Sequence, residues 1–466
     1  MINGNTDRSI ISTPYINKLL AKMQSSSMDA ILLWNLVTLE ICANDYDPAL
    51  VKSPEHGDPA RTARAFAIIH GAMYTAMNSF DTSYTQLVQQ SGTSRIDPLL
   101  KRYGMSAAVL EAAYQALSYL YQKQRSVLDA AYIFHLGQLR NGNQAEAEIR
   151  MGLTVGELTA SFILKNREFD GSTTNEIYIP SLSLGYHNVD PTNPQQGFSD
   201  PHWGKVKPFF LDFASKFRAS NVVGDSPVSR LNYLNSSVFS ADLNEVKLLG
   251  SKTSTARTND QTHIGIAWAY DGAPKIGTPP RLYNQIARVI AIKQNNTFER
   301  NARMFALVNY ALADAAVAAW DTKYYYSFWR PIRGIRNAPN PDHRDSAWVP
   351  LGAPSDSSAP NFTPSFPAYV SGHATFGSAT FEALRSFYDT DNIAFQFQSD
   401  EYNGQTIDSN TGRPRPALTR SYTTLSAAEK ENADSRIYLG VHWRSDALRG
   451  QAIGKQVAFE VFRKFN

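Results

Sequence analysis

The chain predicts an all-α fold: two packed four-helix bundles joined by long ordered loops. Three observations carry this. Apolar residues recur at three- and four-residue spacings along most of the long segments. A stretch dense in Pro, Gly and Asn divides those segments into two groups of about four. The 466 residues, 43% apolar and 12% aromatic, are enough to fill two helical cores.

In order, helices are expected over 29–45 (DAILLWNLVTLEICAND), 60–80, 106–139 and 144–166, all rich in Ala and Leu. Loop chemistry dominates from Arg167 to Gly224, where IYIPSL (177–182) is the one candidate strand. Helical periodicity resumes over 279–294 and 297–329, and a Pro-rich polar stretch follows at 337–369. Two further helices are expected at 371–389 and 426–465. The expected division is 1–224, an N-terminal bundle with a loop-rich end, and 225–466, a second bundle.

A net charge of +3 is too weak to imply a nucleic-acid or membrane partner, and no apolar run approaches the ~20 residues of a membrane span. Cys42 stands alone, which excludes an intrachain disulfide and a cysteine metal site. The opening MINGNTDRSIIS has neither a basic nor an apolar signal region. The expected location is therefore the cytoplasm, or outside it by a non-classical route.

Three segments carry the chemistry: KYYYSFWRP (323–331), SGH (371–373) and SRIYLGVHWRSD (435–446). Lys323 and Arg330 are seven apart, which returns them to one helical face with Trp320 and Ser327, and Pro331 is expected to end the helix. Ser371 reads as an N-cap. Gly372 allows close backbone approach at a helix N-terminus that suits an anion. His373 beside it is an acid/base candidate. Ser435, His442 and Asp446 share a face at helical spacing, so Asp446 can fix the tautomer of His442, and Arg436 flanks them. Singly, each segment reads equally as a solvated basic face, an ordinary cap or a structural histidine. Jointly they describe a pocket for a tetrahedral oxyanion such as phosphate or vanadate. The other histidines share no ligand spacing and read as core or loop residues. Arg333 and Arg336 read as loop anchors, and Tyr324–Tyr326 and Phe328 as mainly core.

The pattern K-x(6)-R-P, SGH, S-R-x(5)-H-x(3)-D resembles the signature shared by vanadium-dependent haloperoxidases and type 2 phosphatidic acid phosphatases. Val370 departs from it, standing where Pro is usual. The segments 269–288, 320–336, 348–354 and 366–377 further resemble the fungal chloroperoxidase type. That resemblance implies an all-α double bundle and a vanadate cofactor, with phosphate able to occupy the same pocket. It implies His442 as the metal ligand, with Lys323, Arg330, Ser371, Gly372 and Arg436 binding the oxygens. His373, Lys323 and His442 would be catalytic, Asp271 would hold Arg436, and Trp320 and Phe366 would line the halide side. Hydrogen peroxide, halide (chloride and/or bromide) and small organic nucleophiles are the implied partners, and Phe366 leans toward chloride.

A soluble acid phosphatase working through a phosphohistidine at His442 is the competing enzyme reading. A helical protein that merely holds an oxyanion is the third. The long chain, the absence of spans in the catalytic half and the match at Trp320 and Phe366 favour the haloperoxidase.

Overall fold

The computed structural model describes residues 6–25, 28–80, 98–141, 145–353, 363–409 and 411–465. Its N-terminal part contains α1 (Thr6–Gln24), α2 (Ala30–Asp45), α3 (Pro59–Asn78), α4 (Pro98–Leu120), α5 (Arg125–Arg140) and α6 (Glu146–Asn166). A long loop leads to the short helices α7 (Pro227–Leu234), α8 (Ser237–Leu249) and α9 (Asn259–Ala267). Then come α10 (Pro279–Lys293), α11 (Phe298–Tyr326), α12 (Pro331–Arg336) and α13 (Gly372–Tyr388). An antiparallel hairpin, β1 (Phe395–Asn403) with β2 (Ala417–Tyr422), precedes α14 (Leu425–Tyr438) and α15 (Arg444–Phe465).

Local chemistry sets many of the helix starts. Asp29, Asp58, Thr297 and Ser371 each accept a backbone N–H of the first turn, and Pro59 follows the Asp58 cap directly. Packing then sorts the helices. α4 lies against α6 and α3, while α13 lies against α15. α11 runs between the two groups, touching α3 on one side and α13 and α15 on the other. Close helix crossings require glycine: a Cβ on Gly152 would sit 2.2 Å from the Gly104 carbonyl, and one on Gly454 2.3 Å from that of Thr375. By length and composition α11 could cross a membrane, but 94% of its most apolar window is buried inside the protein. The expectation that no segment approaches such a span fails at this core helix.

The all-α class holds, and the departures from the expected elements are local. Segment 106–139 is two helices, broken at Tyr121, and 426–465 is two, broken over 439–443. IYIPSL forms no strand; its Ile177, Ile179 and Leu182 lie exposed, and no strand among the described residues pairs with them. The hairpin and α1, α7, α8, α9 and α12 lie outside the expected elements. Residues 354–362 of the Pro-rich stretch, and residues 1–5, lie outside those described.

The loop after α6 is anchored by a buried charge cluster. Asp170 accepts from Arg64 at 2.7 Å and from Arg167 at 2.9 Å, and Arg167 also donates to the Pro208 carbonyl. Burial raises the Asp170 carboxyl, but the two guanidiniums outweigh it and hold the pKa below the usual range. Asp170→Asn leaves both arginines short of a counter-charge and should cost about 3 kcal/mol in a denaturant melt at pH 7. Because the folded pKa is depressed, this contribution is present above the unfolded carboxyl pKa. It fades as pH falls through the folded value, so mutant and wild type should converge in acid.

Candidate active site

The three motif segments meet at the end of α11, the start of α13 and the turn between α14 and α15. They do not meet in the way their spacing suggests. α11 stops at Tyr326, with Ser327 left-handed at φ 50, so Arg330 lies beyond the helix and caps α12. Lys323 and Arg330 therefore share no helical stripe. Likewise α14 ends at Tyr438 and α15 begins at Arg444, which puts His442 in a turn. Ser435, His442 and Asp446 are not one helical face.

Backbone bonds lace the segments together. Ala368 N–H donates to the Phe328 carbonyl at 2.9 Å, and Ser371 N–H to the Asp446 carbonyl at 3.0 Å. Arg330 Nε donates to the Phe366 carbonyl at 2.9 Å. Asp446, in the first turn of α15, accepts from Trp443 N–H at 3.0 Å and meets His442 Nδ1 at 2.9 Å. That is half of a capping box, used here to hold an imidazole.

The tautomer of His442 follows from its other contact. Arg330 Nη1 lies 2.9 Å from His442 Nε2, and arginine only donates, so Nε2 accepts and Nδ1–H faces Asp446. Burial first, then the charges of Arg330 and Lys323, hold the imidazole well below its usual range. A neutral ring with an Nε2 lone pair is what a ligating histidine requires. Burial pushes Asp446 up to about 8, opposed by the Trp443 amide and the nearby cations.

His373 is ordered differently. Its Nε2 lies 2.6 Å from the Ala269 carbonyl, which can only accept, so Nε2 carries the proton and Nδ1 the lone pair. Its own carbonyl accepts from Tyr283 and Asn432, and burial followed by Arg436 keeps the ring well below its usual pKa. Ser371 caps α13 by accepting from Ala374 N–H at 3.3 Å. Gly372 is the first helical residue, so its N–H has no intrahelical partner. A Cβ there would meet nothing nearer than 3.8 Å, which leaves the amide open to a ligand.

Asp271 reaches Arg436 at 2.9 Å. Burial raises the Asp271 carboxyl and Arg436 opposes it. Lys323 and Arg330 make no ion pair with a described carboxylate, although Lys323 is 0% and Arg330 1% exposed. Lys323 Nζ instead donates to the carbonyls of Pro367 (2.9 Å), Ala368 (3.4 Å) and Val370 (2.5 Å). Burial, then Arg330, drives its pKa well below the usual lysine range, and burial brings Arg330 down to about 9. Arg330 Nη2, Arg436 Nε and Nη1 and Trp320 Nε1 are buried donors without a described partner. Such groups cost free energy unless something fills their valences.

A narrow cleft lies among these groups, lined by the polar residues Asp271, Gly372, His373, Arg436 and His442. Trp320, Phe366, Phe376, Pro59, Pro279 and Pro364 form the apolar side. Trp320 and Phe366 pack with ring centroids 4.9 Å apart, and Lys323 Nζ stands 4.8 Å from the Phe366 centroid. Lys323, Arg330 and Ser371 do not line the cleft directly; Arg330 touches His442, and Ser371 precedes Gly372. Among the described residues no cluster of three or more His, Cys, Asp or Glu side chains could hold a metal cation. The donor set fits an oxyanion: unpaired cations, unfilled N–H groups, a helix start and one imidazole lone pair.

Sequence reasoning missed the Ala269 carbonyl, the Tyr283–Asn432 support of His373 and the proline walls. Only the AYDG segment (269–272) gave a hint of the first. Arg333 and Arg336 do anchor loops, on the carbonyls of Val189 and Trp348. Tyr325 departs from the core expectation: it is 52% exposed, with the Arg218 guanidinium 3.8 Å above its ring. Asp271→Asn weakens the grip on Arg436. An oxyanion binding-constant measurement should show a loss of about 10- to 100-fold with little change in melting temperature.

Residues 303–466 match the family model of the VCPO second helical-bundle domain. The chain is 32% identical to the vanadium chloroperoxidase of Curvularia inaequalis, over 91% of this chain and 80% of that protein. A solved structure described as the first bacterial vanadium-dependent iodoperoxidase superposes with a TM-score of 0.70 at 23% identity, covering 92% of this chain and 95% of that one. A holo-type bacterial vanadium-dependent chloroperoxidase superposes at 0.66 and 15% identity, covering 89% and 94%. These two likenesses concern the fold alone.

Proposed function

The chain belongs to the vanadium-dependent haloperoxidase family, and from that premise we propose how its own residues divide the work. The protein is an enzyme that uses vanadate, hydrogen peroxide and a halide. The observation that carries the residue assignment is the pair of buried cations, Lys323 and Arg330, without a carboxylate partner among the described residues. An uncompensated buried charge costs several kcal/mol, and a bound oxyanion offsets that cost.

His442 would hold vanadate through Nε2, displacing the Arg330 Nη1 contact, while Asp446 keeps Nδ1–H turned away. The free guanidinium donors of Arg330 and Arg436, the Gly372 N–H and the Ser371 hydroxyl would carry the oxygens. Bound vanadate supplies a Lewis-acid centre at which peroxide becomes able to oxidise halide. His373 takes up the proton that peroxide gives up, at Nδ1, because Nε2–H is committed to Ala269. Lys323 stabilises developing negative charge by exchanging one carbonyl partner for the reacting oxygen. Trp320 and Phe366 exclude water from the halide side. An apolar Phe366 that accepts no hydrogen bond favours chloride together with bromide as substrates, and the hypohalous acid released halogenates small organic nucleophiles.

The test uses metal-stripped protein, orthovanadate and a halogenation assay with bromide and then chloride. Halogenation should appear only with vanadate, and phosphate, of like charge and shape, should compete. Phosphate-ester hydrolysis that vanadate inhibits, with no halogenation, would overturn the assignment.

A further inference from the structure

A further buried cation stands outside the cleft. Arg230, on α7, is 1% exposed, and no carboxylate among the described residues makes an ion pair with it. Its charge meets carbonyl oxygens instead. Nε and Nη2 donate to Gly224 at 3.2 and 2.7 Å, Nη1 to Gly185 at 2.5 Å, and Nη2 also to Tyr326 at 2.5 Å. The rings of Tyr186 and Phe328 flank the guanidinium, with centroids 4.5 and 5.1 Å from Cζ. All three nitrogens are thus engaged. Unlike Arg330 and Arg436, Arg230 keeps no unpartnered nitrogen for a ligand.

Its three carbonyls are informative because two of them control one turn. Tyr326 is the last residue of α11, so its carbonyl has no donor within the helix, and a cation there also suits the negative helix end. The Gly185 carbonyl accepts a second donor, Trp329 N–H at 3.1 Å. His187 N–H donates to the Ser327 carbonyl at 2.8 Å, and Tyr186 bridges antiparallel to Phe328. Residues 326 and 329 therefore bracket the left-handed Ser327 and both hang on one guanidinium, the first directly and the second through Gly185. Gly185 is itself left-handed at φ 83, and a Cβ on it would lie 2.7 Å from Arg230 Cγ. The next residue along the chain is Arg330, whose side chain reaches the Phe366 carbonyl and His442 Nε2, each at 2.9 Å.

We propose that Arg230 is a positioning residue for this reaction: it clasps the 326–329 turn and so sets where Arg330 enters the site. It acts through backbone and touches neither vanadate nor substrate. The inference rests on the role proposed above for Arg330 as an oxyanion-binding group.

Arg230→Met keeps much of the stem and removes the forked donor, whereas Arg230→Lys keeps the charge but cannot span all three carbonyls. Two quantities are measured: vanadate affinity of the metal-stripped protein by equilibrium dialysis, and the Arg330 Nε–H resonance in anion-free protein, assigned by its loss in Arg330→Lys. Arg230→Met should bind vanadate about 10- to 100-fold more weakly, with a shifted Arg330 resonance. Arg230→Lys should regain part of that loss, to within roughly tenfold of wild type, with a smaller shift. The control is Arg218→Ala, which strips the 2.7 Å ion pair from Asp321 on the same helix, away from the turn. It should leave both quantities at their wild-type values. If Arg230→Met does not fold, Arg230→Lys carries the test. Folded Arg230→Met, or failing it Arg230→Lys, with wild-type affinity and an unmoved Arg330 resonance would overturn the proposal, whatever its melting temperature. Equal changes in Arg218→Ala would overturn it too, since general loosening of α11 would then suffice. A wild-type protein that binds no vanadate would instead sink the functional reading, and the Arg330 resonance would still decide whether Arg230 positions that side chain.

Discussion

His442→Ala is expected to abolish vanadate-dependent halogenation and to weaken vanadate binding by at least ~10³-fold, about 4 kcal/mol. His373 also borders the cleft, but its Nδ1 lone pair is the one that takes the peroxide proton, and His187, though buried, does not border the cleft. The fold should tolerate the change, because Arg330 Nη1 keeps the Val441 carbonyl at 2.8 Å and Asp446 keeps the Trp443 amide. Dialysis against vanadate, beside a thermal melt, checks both parts. Retained affinity in a folded His442→Ala protein would refute the ligand role.

Lys323→Met should produce the second large effect, and on two quantities. Its ammonium ties three carbonyls of one segment, those of Pro367, Ala368 and Val370, directly ahead of the α13 cap. Methionine keeps the stem's packing but leaves those carbonyls without a donor, which should cost about 3 kcal/mol in a denaturant melt. Loss of the cation should also lower kcat by on the order of 10²-fold, as for removal of one preorganised donor to a developing charge. Vanadate affinity should fall less than kcat, since Arg330, Arg436, Gly372 and His442 remain. The two roles separate cleanly in measurement. A protein that melts earlier yet turns over normally per folded molecule would make Lys323 a clasp and nothing more.

The sequence by itself determined the fold class and which residues would meet. Helical periodicity is a property of each segment itself, and capping residues such as Asp29, Asp58 and Ser371 act on the amides two or three positions away. Local rules therefore found most long helices and the start of α13. The same rules misjudged how the site is assembled. Lys323 and Arg330 looked like one helical stripe, but Ser327 turns left-handed between them; His442 and Asp446 looked like a helical pair, but α15 begins at Arg444. In both places a helix ends early because the residues beyond it find backbone partners from distant segments. Ala368 pairs with Phe328, and Gly352 with Leu439. Only the tertiary structure decided those pairings, the Ala269 support of His373 and the burial that leaves two cations without a carboxylate partner among the described residues. Spacing along a chain carries information over about two turns of helix, whereas these contacts close loops of tens to hundreds of residues.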